Sequence, residues 1–122
     1  LKHKEALHMD NLLHVKLRAI NPDLKFDREY KIGLGKDLFK QWYVVITFGR
    51  YNTWGTSRTK IFDTRQEAYD FINSKLRRRL SSPKRIGCSY QLVSLDGGEE
   101  ILETLSKKVI ERFSWFGISA TL

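Results

Sequence analysis

The sequence predicts an α+β fold: a sheet of about five strands, one helix packed across it, and a C-terminal helix. Two observations predict it. Segments in which apolar and polar residues alternate, the period of a half-buried strand, fill the first half of the chain and recur near position 90. Two later segments instead repeat apolar residues every three or four positions, as an amphipathic helix does.

From Leu12 to Ile20, Leu13, Val15, Leu17 and Ala19 alternate with His14, Lys16 and Arg18, so this is a first strand. Asn21-Pro22-Asp23 breaks it with turn residues. A second strand runs from about Phe26 to Leu34, with Tyr30, Ile32 and Leu34 on one face and Gly35-Lys36-Asp37 as its turn. Asp37-Leu38-Phe39 leads into a third strand, where Trp42, Val44, Ile46 and Phe48 share one face and Tyr43, Val45 and Thr47 the other. Both faces are largely apolar, which predicts a central strand. The fourth strand ends at Phe62 and carries Arg58 and Lys60 on one face, Thr59 and Ile61 on the other. In the hairpin between them, Asn52 and Gly55 tolerate a left-handed backbone, as a tight loop needs.

Thr64 with Glu67 three residues on forms a capping box that starts a helix. Ala68, Phe71, Ile72 and Leu76 form its apolar stripe, with Lys75 at the same spacing, and Ser81-Ser82-Pro83 ends it near Leu80. A fifth strand is expected from about Ser89 to Leu95, with Tyr90, Leu92 and Ser94 on one side, before the turn Asp96-Gly97-Gly98. From Glu99 to about Phe113, Ile101, Leu102, Leu105, Val109 and Phe113 predict the second helix. The division that follows is an extension over residues 1–11, a domain over 12–95, and a helix with an apolar tail over 96–122.

Composition narrows the function. Residues 1–20 hold four Lys/Arg and two acids, residues 21–93 fifteen and seven, and residues 94–122 three and five, so the middle segment carries the whole excess behind the net charge of +8. Such a patch attracts polyanions, nucleic acid first and an anionic membrane surface second. A soluble domain that is merely basic is the plain alternative. The single cysteine, Cys88, excludes an internal disulfide framework and a multi-cysteine zinc site, and implies a reducing compartment. No run is long and apolar enough for a transmembrane helix or a signal core, so the expected location is intracellular, in the cytoplasm, without membrane attachment.

Catalytic chemistry finds little support. Gly33-Leu34-Gly35-Lys36 lacks the spacing of a phosphate loop, and Asp37 stands where Ser or Thr would hold magnesium. His3, His8 and His14 all fall in the first fourteen residues, and no second cluster completes a metal site. Basic neighbours can lower the pKa of Cys88, but no triad can be built around it, and a small buried residue on the last strand is the simpler reading. No catalytic residue, metal or cofactor is therefore expected, and the protein is read as a non-enzyme.

The binding candidates cluster around the hairpin and the end of the first helix. Phe48 either caps the core or stacks on nucleic acid. Trp54, at the loop tip, has either a stacking or wedge role or a local packing one, and Arg50, just after the strand and next to Tyr51, is either a solvated turn cation or part of the binding site. Arg58 and Lys60 occupy one strand face, which is either a solvated face or part of the site. Arg77, Arg78, Arg79, Lys84 and Arg85 place five cations in nine positions beside a Pro turn, which favours phosphate contact over a merely solvated run. Lys31 and Lys75 are weaker candidates. Trp115 and Phe116 form an apolar tail that either packs on the domain or meets a protein partner.

The stretch from about Asn21 to Val93 resembles a WGR domain, the small module of poly(ADP-ribose) polymerases and of stand-alone bacterial proteins. The matching features, in order, are Asn21-Pro22, Arg28-Glu29-Tyr30, Asp37-Leu38-Phe39 before Trp42, and Phe48-Gly49-Arg50 where the family has Trp-Gly-Arg. Asn52 and Gly55, Phe62, Glu67-Ala68 and the basic run ending in Gly87 follow. Trp54-Gly55 also begins Trp-Gly, but only Phe48 is followed by two glycine-like positions at the right spacing. Three departures stand out: Phe48 replaces the Trp, Asn52 stands at a usual glycine, and Cys88 follows Gly87 where bacterial relatives often have Tyr.

The resemblance implies a mainly antiparallel sheet with one helix across it. It also implies a module that grips a DNA strand end, the signature aromatic against the terminal sugar or base and nearby cations on the phosphates. The expected partner is thus DNA at duplex ends or nicks, bound by shape and not by sequence. The alternative is a protein interaction module whose basic face binds an acidic protein.

Overall fold

The computed structural model describes residues 11–98, 105 and 107–117. Five strands form one antiparallel sheet: β1 (Asn11–Asn21), β2 (Phe26–Lys36), β3 (Trp42–Arg50), β4 (Thr56–Phe62) and β5 (Gln91–Gly97), in the spatial order β4-β3-β2-β1-β5. The middle position belongs to β2. β3, expected at the centre, lies one place out and is still paired on both sides. Helix α1 (Arg65–Leu80) and the short α2 (Ser82–Ile86) come between β4 and β5, and α3 (Lys107–Ile110) follows β5.

The alternation read from the sequence defines the core. Leu13, Val15, Leu17 and Ala19 of β1, Tyr30, Ile32 and Leu34 of β2, and Val44 and Ile46 of β3 are all buried on one face. Against them lie Ala68, Tyr69, Ile72 and Leu76 of α1, with Leu105, Val109 and Phe113 from the C-terminal part. The buried stripe of α1 also includes Asn73, whereas Phe71, expected within it, is half-buried and packs its ring 5.2 Å from that of Phe62. α1 starts as its capping box dictates: Thr64 Oγ1 accepts from the Glu67 amide at 3.2 Å and donates to Glu67 Oε1 at 2.9 Å.

Several boundaries move for physical reasons. Gly35 and Lys36 belong to β2, and the turn is made by Asp37–Lys40, where Asp37 Oδ1 accepts from the amides of Phe39 and Gln41 at 2.9 Å each. Gly35 permits a close approach here, because a Cβ on it would stand 2.2 Å from the Tyr43 ring. β5 starts at Gln91, later than expected, and continues through Gly97, so Asp96-Gly97 is strand and not turn. A bulge opposite Lys16 and Leu17 pairs Lys16 with Ser94 and Leu17 with Leu92, so Leu95, and not Ser94, returns to the core face. Residues 1–10 and most of the predicted second helix, including Glu99, Ile101 and Leu102, lie outside the described residues.

Candidate nucleic-acid interface

Directly opposed residues of an antiparallel pair share a face. Arg58 opposes Ile46 and Lys60 opposes Val44, so both cations stand on the helix side of the sheet, not on its uncovered face. α1 lies over the core but leaves the β4 edge open, and a groove of about 690 Å³ runs between them. Tyr30, Val44, Ile46 and Phe48 form its floor. Arg58 and Lys60 form one wall; Phe71, Lys75, Arg78 and Arg79 form the other. Phe48 is half-buried: it packs against the core and still reaches this groove.

Several of these cations sit over aromatic rings. Lys60 Nζ is 5.2 Å from the Phe71 centroid and 5.6 Å from that of Phe62, and Lys75 Nζ is 5.1 Å from Phe71. Arg79, unlike the exposed Arg77 and Arg78, turns inward, its guanidinium 4.5 Å from the Tyr30 centroid and 5.7 Å from that of Tyr90. Such contacts hold a cation in place while leaving its hydrogen-bond donors for another group. A smaller pocket of about 250 Å³ adjoins the groove at Phe48 and Arg79 and adds Arg28, Arg85 and Tyr90. Arg85 donates to the carbonyl of Arg78, one of the carbonyls left open at a helix C-terminus. Its pKa is held below the ordinary value by desolvation first and then by the charges of Arg78 and Arg79.

The hairpin tip goes elsewhere. Gly49 opposes Glu29 at the end of β3, and the loop 51–55 turns toward the face of the sheet opposite α1. Arg18, which points away from the core between Leu17 and Ala19, lies 3.4 Å from the Tyr51 ring centroid. It also makes a bidentate pair with Asp27 at 2.9 and 2.8 Å, and the Tyr51 amide donates to the Asp27 carbonyl at 2.9 Å. The paired hydrogen bonds raise the pKa of Arg18 and lower that of Asp27. Asn52 and Gly55 adopt the left-handed conformation, φ 62° and 67°, as the loop required.

Phe48 and Trp54, read as one cluster from the sequence, therefore separate. Trp54 is 98% exposed and borders a second cavity, of about 520 Å³, with Tyr51, Asn52, Thr53, Lys16 and Lys31. Arg50 is exposed between the two, its carbonyl accepting from the Thr53 hydroxyl at 2.7 Å, and it does not line the groove. Arg77 and Lys84 are exposed and also outside it. Arg58, Lys60, Arg78 and Arg79 are brought together with Phe48, while Arg85 joins through the adjoining pocket. Arg28, Tyr30 and Phe71 are additions that the strand and helix periods marked only as surface or core. Lys75, a weaker candidate, carried a signal: it falls at helical spacing with the apolar stripe.

The tail packs on the domain. The Leu92 amide donates to the Ser114 carbonyl and the Phe116 amide to the Leu92 carbonyl, each at 2.8 Å, so Trp115 makes a parallel bridge on the outer edge of β5. Phe116 reaches the Arg18 guanidinium at 5.2 Å, and Trp115 stays half exposed. Cys88 is partly buried, and burial raises its thiol pKa, contrary to the lowering its basic neighbours suggested. Among the described residues no group of His, Cys, Asp and Glu is placed to hold a metal ion, and no helix is long and apolar enough to cross a membrane.

A family model of the WGR domain matches residues 14–82, more than half of the chain. The chain belongs to the WGR domain family. WGR domains are generally nucleic-acid-binding modules of poly(ADP-ribose) polymerase-like proteins. The matched segment runs from β1 to the first residue of α2 and contains every groove residue named above, so β5 and α3 extend the sheet and core beyond it. Comparison with curated proteins finds no match. Within the WGR frame, Phe48-Gly49-Arg50 closes β3, with its aromatic ring on the groove side.

Proposed function

We propose that this WGR domain is a non-enzymatic module that binds DNA at a strand end or break. The convergence of Phe48 with Arg58, Lys60, Lys75, Arg78 and Arg79 around one open groove carries the reading. Backbone phosphates lie along the two cationic walls, and the terminal sugar or base rests against the Phe48 ring, which faces the groove without leaving the core. Arginine forks suit phosphate oxygens, and an aromatic face accepts any base, so recognition follows shape and charge. Among the described residues no helix is set to read major-groove edges, which leaves binding poorly sequence-specific.

The test compares a linear duplex, a covalently closed circle and a single strand, each against wild type, Phe48→Ala and Arg78→Glu. End recognition requires tighter binding to the linear duplex than to the circle, lost in Phe48→Ala, with Arg78→Glu weakening all forms. Equal affinity for circle and linear duplex overturns end recognition. An absence of binding to every DNA form at low salt overturns the proposal and leaves an acidic protein as the partner of the groove.

A further inference from the structure

The second cavity, on the opposite face of the sheet, is not explained by a groove that takes the duplex end. Its walls are Trp54, Tyr51, Asn52 and Thr53 from the hairpin tip, with Lys16, Glu29 and Lys31 from β1 and β2. At about 520 Å³ it falls within the ~300–1,000 Å³ usual for small-ligand sites. Trp54 offers almost its whole side chain to solvent, whereas the Tyr51 ring is already occupied by Arg18. Trp54 is therefore the one wall ring with both faces open to stacking.

Charge sets the size of the occupant. Lys16 is paired with Glu29 at 3.1 Å, which leaves Lys31 as the wall cation with no carboxylate partner among the described residues. One free ring and one free cation match one base and one phosphate. A polyanion track, by contrast, needs a series of cations such as the groove provides.

The two sites lie on opposite faces of the sheet, with the closely apposed backbone of Gly49 and Gly55 between them. A Cβ on Gly49 would stand 2.8 Å from the Gly55 Cα, and one on Gly55 would stand 2.6 Å from the Phe48 carbonyl oxygen. Both positions are therefore held to glycine by close approach. Phe48 lies on one side of this backbone and Trp54 on the other.

We propose that the hairpin is a divider: with the duplex end seated in the groove, an unpaired terminal nucleotide crosses the Gly49/Gly55 backbone, stacks on Trp54 and sets its phosphate against Lys31. This inference rests on the end-binding reading above and adds a ligand class, ends bearing at least one unpaired nucleotide. Base–aromatic stacking at its weaker limit corresponds to about fivefold in affinity.

The experiment measures binding of the full chain to a blunt duplex and to the same duplex with one protruding 2-aminopurine nucleotide, in either polarity. An abasic overhang serves as control. Wild type is expected to favour one aminopurine overhang over both the blunt end and the abasic overhang by about fivefold or more and to quench its fluorescence, the abasic overhang keeping only the phosphate contact to Lys31. Trp54→Ala, which removes a solvent-exposed side chain outside the groove, is expected to abolish the preference and the quenching while keeping blunt-end affinity. Arg58→Glu should weaken both duplexes and preserve their ratio. Blunt and overhang duplexes bound equally by wild type, or a preference that survives Trp54→Ala, overturns the divider while leaving end binding intact. Failure to bind any duplex removes both proposals.

Discussion

The number of free cations in the groove determines how steeply binding must respond to salt. Five cations line it, and one, Arg79, is set back from the others, with its guanidinium Nε buried and the group lying over both Tyr30 and Tyr90. If each of the remaining four neutralises one phosphate, log affinity falls against log salt with a slope of about −3.6, from roughly −0.9 per phosphate on duplex DNA. Between 50 and 200 mM salt, affinity should then drop about 150-fold. Arg58→Gln removes one contact and should flatten the slope to about −2.7, whereas Arg77→Gln, outside the groove, should leave it unchanged. Fluorescence anisotropy of a labelled blunt duplex, titrated at several potassium chloride concentrations with all three proteins, reads these slopes directly. A wild-type slope shallower than about −1, or an Arg77→Gln slope reduced as much as that of Arg58→Gln, would refute the assignment of the groove as the phosphate-binding surface.

Three further outcomes follow from packing and charge. Ile72→Ala, at a fully buried position between α1 and the sheet, should cost about 2–5 kcal/mol in urea denaturation, against less than about 0.5 for the exposed Arg77→Ala. Gly55→Ala should lower the urea midpoint by the equivalent of more than about 1 kcal/mol, since the new Cβ meets the Phe48 carbonyl and the residue keeps a left-handed φ. Asp27 is depressed below its ordinary 3.8, first by the Arg18 hydrogen bond, so the unfolded chain binds its proton more readily than the folded one. Its contribution is therefore full above about pH 4 and is lost as pH falls through the lowered folded value; Asp27→Asn should remove that part of the acid dependence in thermal melts.

The sheet and its helix were legible because their signals are periodic. Alternation over Leu13–Ala19, Tyr30–Leu34 and Trp42–Phe48 assigns each residue to a face, and the Thr64/Glu67 box marks where the period changes. Where the period is interrupted, alternation no longer assigns faces. The bulge at Val93 shifts the phase of β5 by one residue, which no composition signal announces, so plain alternation assigns Ser94 to the face that Leu95 takes. Arg58 and Lys60 had an ambiguous face because a cationic strand face looks the same whether it meets solvent or a groove. Only pairing with Ile46 and Val44 decides it.

The hairpin tip marks a different limit. Loop residues have no period, so nothing local to Phe48–Gly55 states which face of the sheet the loop leans toward. That direction is set by groups distant in the chain: Arg18 on β1 stacks on Tyr51, Asp27 on β2 holds both the Arg18 side chain and the Tyr51 amide, and Phe116 closes over Arg18 from the tail. Arg18 itself reads in the sequence as an ordinary outward residue of a half-buried strand. Its consequence is that the signature ring Phe48 and the nearby Trp54, six residues apart, face opposite sides of the sheet, with Gly49 and Gly55 closely apposed in the hairpin between them. Replacing the Trp of the family signature by Phe48 keeps a flat ring on the groove side, and Trp54 provides the exposed indole on the other.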